Sequence, residues 1–106
     1  MTAEIPLNPG DRAYGHGDQV TFDFDGEEGD SVEKGDWVEF HETENMTVVL
    51  PDDTEPSYDA VVKHAAEAGE KVTVHLRGVV RAKPEAHDYP VVQTYDDDNT
   101  ELVVLR

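Results

Sequence analysis

Residues 70–83 read EKVTVHLRGVVRAK, and the fold class turns on them. Val72, Val74 and Leu76 alternate with Thr73, His75 and Arg77, the period-two pattern of a strand with one buried face. Gly78 interrupts the alternation and Val79–Ala82 resumes it. A glycine at such a place marks a bulge or a sharp bend, where a small barrel turns its corner. On the N-terminal side, Tyr58–Ala68 admits two readings. Val61, Val62, Ala65, Ala66 and Ala68 would line one side of a short helix near 60–68, with Gly69 as its stop. Equally, Tyr58–Val62 reads as a strand followed by an alanine-rich loop, which suits its β flanks. Further back, Met46–Leu50 is a strand that ends at Pro51. Gly35–Asp36 is a turn feeding the strand Trp37–His41, and Val20–Phe24 is the first strand, with Val20, Phe22 and Phe24 on one face. On the C-terminal side Pro84–Pro90 is a loop, and Val91–Tyr95 and Leu102–Leu105 form a hairpin around Asp96–Thr100. Seven short strands with regular turn signals predict an all-β domain over 20–106, a small β-barrel or β-sandwich. Residues 1–19 lack apolar periodicity and carry Pro6, Pro9, Gly10, Gly15 and Gly17, so they read as an extended N-terminal arm.

Charge bounds the function. Among 106 residues, 25 acidic side chains face eight basic ones, a net of −17. A soluble domain of this size usually carries about 2–8 charges in magnitude. At low salt so many carboxylates repel one another and oppose the compact state. At 1 M salt the Debye length falls to about 3 Å and that repulsion fades. The composition therefore predicts a protein adapted to concentrated salt. Competing readings are an acidic partner for a basic protein and a nucleic-acid mimic. There is no cysteine, hence no disulfide or thiol chemistry. No apolar run approaches the ~20 residues that span a bilayer, so no membrane association is expected. Met1–Pro9 has neither a basic nor an apolar signal-peptide region, and the chain is expected to be made in the cytoplasm.

Catalytic constellations are sought and not found. Ser31 and Ser57 are the two serines, and neither sits in a nucleophile elbow. His16, His41, His64, His75 and His87 show no zinc-ligand spacing and read as surface residues. The acidic run Asp23–Asp30 fails the EF-hand pattern, and Asp96–Asp98 reads as a solvated loop. No enzyme activity, metal or cofactor is expected. The basic residues form no nucleic-acid stripe; their one local concentration is Lys71, Arg77, Arg81 and Lys83, a contact patch for an acidic partner or ordinary strand-surface charge. Trp37, the only tryptophan, reads as a core or interface anchor. The arm reads either as a frayed terminus or as a segment that docks on a neighbouring molecule, and Ile5, Leu7 and Tyr14 are poor choices for a purely solvated tail. Paired valines at 79–80, 91–92 and 103–104 point to opposite faces, so one of each pair needs cover from a second sheet or a partner.

Two stretches, VEKGDWVEF at 32–40 and YDAVVKHAAEAGEKVTVHLRGVVRAK at 58–83, together resemble small decoration, or cement, proteins of tailed-virus capsids. Gly35 and Asp36 match the glycine–aspartate approach into a strand in that family. Gly69, Glu70, Val72, Val74, Leu76, Gly78, Val79 and Val80 match its later alternating strand. The resemblance implies a structural virion protein on the capsid surface, binding the major capsid protein and forming a homo-oligomer, often a trimer in relatives. With the salt-adapted composition it implies a virus of a salt-loving archaeon. Capsid or subunit contacts are then expected at Ile5, Leu7, Tyr14, Trp37, Arg77 and Arg81. The alternative is a small-barrel binding module, OB-like or SH3-like, of a haloarchaeal cytoplasm. A biotin or lipoyl carrier would need a hairpin-tip lysine, and a cupin enzyme a histidine cluster; the sequence has neither.

Overall fold

The computed structural model describes residues 18–95 and 99–105. Ile5, Leu7 and Tyr14 of the arm lie outside the described residues. Ten strands and no helix occur among those described. β1 (Gln19–Phe24), β3 (Trp37–Phe40), β4 (Thr47–Val49), β5 (Ala60–Val62) and β7 (Lys71–His75) form a closed barrel in the order β1-β4-β3-β5-β7. β1 closes it, pairing antiparallel with β7 and parallel with β4. β8 (Gly78–Ala82), β9 (Val91–Tyr95) and β10 (Thr100–Leu105) form an outer sheet in the order β8-β10-β9. β2 (Ser31–Val32) and β6 (Ala66–Glu67) make a short antiparallel ladder of their own.

The expected alternation builds the barrel core. Phe22, Phe24, Val38, Val48, Ala60, Val62, Val72 and Val74 point inward and are buried, with Leu76 partly buried against them. The opposite faces of β3 and β5 are covered too. Trp37 pairs with Val61 across the ladder, and both point outward into a second core with Val80, Ala82, Val103 and Leu105 of the outer sheet. The second sheet thus covers Val61 while Val62 fills the barrel interior, and burying each is worth ~1.5–3 kcal/mol.

The helix considered near 60–68 does not form. Ala60, Val61 and Val62 are all buried, with the barrel interior on one side and the outer sheet on the other. A strand between two neighbours can bury both faces, whereas a surface helix buries one stripe. Ala66 then enters the core from β6. The expected arm boundary shifts slightly as well, since Gln19 already belongs to β1.

Gly78 has φ 101° and marks the bend at which the chain leaves the barrel for the outer sheet. Three other turns share one design, E-E-G-D at 27–30, E-K-G-D at 33–36 and E-A-G-E at 67–70. In each, the fourth amide donates to the first carbonyl at 2.9 Å. The fourth residue's carboxylate accepts from the first amide, at 2.8, 2.7 and 2.8 Å respectively. Gly29, Gly35 and Gly69 sit third with φ of 95°, 93° and 90°, the conformation a type II turn requires there. The middle turn also ties the two sheets together, because Gly35 donates to the Val62 carbonyl and accepts from the Lys83 amide, each at 2.9 Å.

Candidate functional site

Trp37 anchors a cluster of rings where the 83–90 loop crosses the barrel wall. It stacks on Tyr89 at 5.6 Å and 9°, tilts against His87 at 4.8 Å and meets Tyr58 edge-on at 5.7 Å. Its indole N–H donates to the Lys83 carbonyl at 2.8 Å, and the Tyr89 hydroxyl donates to the Tyr58 carbonyl at 2.9 Å. Burial, and secondarily the charge of Asp59, raises the Tyr89 hydroxyl above its ordinary pKa. Trp37 is only 4% exposed, so the interior of this chain is its partner.

His87 is a correction to the surface reading of the histidines. Its side chain is 3% exposed and faces Glu101, itself 14% exposed, with Nε2 to Oε2 at 3.2 Å. Nδ1 accepts the Tyr89 amide at 3.1 Å, which leaves the ring proton on Nε2 to be donated to Glu101. His75 is also half-buried, while His64 is exposed and His16 lies outside the described residues. The His87–Glu101 pair resembles the orienting half of a catalytic triad, but the neighbouring Ser57 hydroxyl donates to Asp59 at 2.9 Å. With these polar groups paired, the arrangement holds the loop rigidly to the barrel.

Asp25, His41 and Glu44 can bring ligand atoms within 4.8 Å of one another. His41 Nδ1, however, accepts the amides of Thr43 and Glu44 at 3.1 and 3.0 Å. The ring proton therefore sits on Nε2, facing Asp25 at 3.7 Å, and the imidazole offers no lone pair to a cation.

Exposed apolar side chains gather elsewhere. Phe40, half-exposed, stacks on Phe22 at 5.7 Å, and Phe40 and Leu50 border a groove of about 300 Å³. Met46, just before β4, is exposed as well. Among the described residues β9 is an edge strand, paired only with β10, and it reads VVQTY without a charged residue. Val91 is 45% and Val92 60% exposed. Val91 and Gln93 pair with Val103 and Leu102, so Val92 is an inserted bulge. Of the paired valines, Val80 and Val103 are buried, and 91–92 is the pair with both side chains exposed.

The basic residues grouped in sequence part company in space. Lys71 pairs with Asp23 of β1 at 2.7 Å and Arg77 with Asp18, just before β1, at 3.3 Å. Arg81 and Lys83 instead turn toward Lys34 at a cleft between barrel and outer sheet. Sequence spacing could not reveal this grouping, since Lys34 arrives through the 33–36 turn. Among known proteins, no family model, curated protein or solved structure matches the chain.

Proposed function

We propose that the chain is a non-catalytic docking protein that decorates a capsid lattice, binding the major capsid protein and further copies of itself in concentrated salt. The observation that carries this reading is β9. In a chain with 31% charged residues, an edge strand of five uncharged residues stands at the surface with both valines exposed. Soluble proteins blunt such edges with lysine, proline or cover, because an open edge accepts a strand from another chain. The Val92 bulge limits slippage along that edge without making it polar. Apolar contact also suits molar salt, which screens long-range charge attraction but not burial of apolar surface.

The test mixes native protein with undecorated capsids in molar KCl and measures co-sedimentation. Val92→Lys is expected to lose binding while shifting stability by no more than about 0.5 kcal/mol, since the side chain is exposed. Deletion of the arm, residues 1–17, is expected to weaken binding further. Absence of binding by the native protein would overturn the reading. Retention of a single-stranded oligonucleotide in the same salt would favour the small-barrel binding module instead.

A further inference from the structure

Two cavities, of about 400 and 360 Å³, adjoin where the 51–59 segment faces the 83–90 loop. Both are lined by Pro56 and Tyr58, which stand between them. The Tyr58 ring meets Trp37 edge-on at 5.7 Å and its hydroxyl reaches Glu85 at 3.5 Å. Trp37 and Glu85 both line the smaller cavity, so the Tyr58 ring forms a wall of that space. Its backbone is pinned on both sides. The Tyr58 carbonyl accepts the Tyr89 hydroxyl at 2.9 Å, and the next amide, of Asp59, donates to the Val38 carbonyl at 3.0 Å.

The carboxylates around this ring fall into two groups. Asp36 holds Lys83 at 2.6 Å, Asp52 caps the amides of Thr54 and Glu55, and Asp59 accepts the Phe40 amide. Those three do structural work. Asp53 and Asp88 hold no hydrogen bond or ion pair among the described residues, and Glu85 touches only the Tyr58 hydroxyl. These three are exposed at the cavities. No lysine or arginine among the described residues lines either cavity. Burial raises the Tyr58 hydroxyl above its ordinary pKa and the charge of Glu85 raises it further, so a negative potential acts at the ring. An acidic surface alone is common in this chain; here it converges on a fixed aromatic wall.

We propose that this groove receives an arginine side chain presented by the protein on which the chain docks. The inference rests on the docking role proposed above. Charge complementarity selects a cation, and molar salt selects which one. An ammonium group held by charge alone competes with molar K⁺ for the same carboxylates. A guanidinium is planar and weakly hydrated, stacks on an aromatic face and forks onto a carboxylate. Tyr58, Pro51 and Pro56 supply apolar walls, and Glu85 and Asp53 supply the anions. Groups in direct contact keep their attraction where longer-range steering is screened.

The test follows the Trp37 indole and Ala86 methyl resonances by NMR in molar KCl while N-acetyl-argininamide is added to the intact protein. Its neutral citrulline counterpart, N-acetyl-lysinamide and tetramethylammonium serve as comparisons at matched ionic strength. A saturable shift with the arginine compound is expected, absent with citrulline and weaker with lysine. Affinity is expected to fall about tenfold in Tyr58→Leu and in the double variant Asp53→Asn with Glu85→Gln. The double variant changes only exposed carboxylates and so keeps the fold. No shift, or a shift unchanged in both variants, would overturn the site. Equal binding of citrulline would overturn the selection of a cation. Equal binding of lysine, or binding of tetramethylammonium alone, would overturn the assignment to arginine. Capsid co-sedimentation separates the two proposals. Glu85→Lys is expected to weaken it about tenfold, and unchanged sedimentation would show that the groove is not the docking contact. If native protein fails to sediment, the decoration reading falls while the titration still decides the groove.

Discussion

At the scale of single residues, Trp37 does two jobs: its ring fills the second core and its N–H satisfies the Lys83 carbonyl at the start of the 83–90 loop. Trp37→Ala is expected to cost ~3–5 kcal/mol in denaturant unfolding measured in molar salt. Trp37→Phe keeps the stacking but leaves that carbonyl unpaired, for a loss of ~1–3 kcal/mol. A Trp37→Phe variant as stable as the native chain would remove the hydrogen bond from the account. His75 gives a second residue-scale prediction. Its folded pKa lies below the ordinary 6.5, through burial first and then Lys63, His64 and Lys34. The neutral ring is the form the fold prefers, so its contribution is complete above pH 6.5 and is lost as pH falls through the folded value. An NMR titration of His75 should show a midpoint below 6.5, and one at or above it would contradict the burial argument. Trp37 was legible in the sequence because an isolated tryptophan beside an alternating strand has few places to go. His87 was not, because the 84–90 loop has no periodicity and the ring is buried only where the Trp37 face meets it.

At the scale of elements, the three E-x-G-acid turns explain why part of the acidic content is structural. Asp30, Asp36 and Glu70 each close their own turn through a carboxylate-to-amide bond. Gly35→Ala forces an L side chain into φ 93° and is expected to cost ~1–2 kcal/mol, read as a lowered denaturation midpoint. Asp36→Ala should lose about 1 kcal/mol, since it removes the Glu33 amide's acceptor and one partner of half-exposed Lys83. Were both variants to unfold like the native chain, the turn would be a passive connection. The strands of the barrel were legible from their alternation and glycine stops. β2 and β6 were not, since two-residue strands carry no period to detect. The segment 60–68 was ambiguous because buried-on-both-faces apolar runs look alike in helix and strand. Its neighbours β3 and β7 decide the outcome.

At the scale of the whole molecule, a net charge of −17 dominates, and the described ion pairs of Asp18 and Asp23 are exposed and contribute little. The melting temperature is expected to rise steeply between low salt and molar KCl as carboxylate repulsion is screened. A temperature that stays flat or falls over that range would contradict salt adaptation. Composition made the charge legible, and periodicity made the all-β class legible. Strand order was not, because pairing β1 with β4 and β7 depends on contacts between distant parts of the chain. That closure has a mechanical consequence. β1 is held on both edges, by five residue pairs to β7 and by the parallel register to β4, with Thr21 and Thr73 hydroxyls bonded at 2.9 Å across the seam. Ladder hydrogen bonds lie across the strand axis. A pull on the N-terminal end of β1 therefore loads both ladders in shear, so the bonds must yield together rather than unzip one by one. A tension applied at that end would pass to a strand gripped along both of its edges.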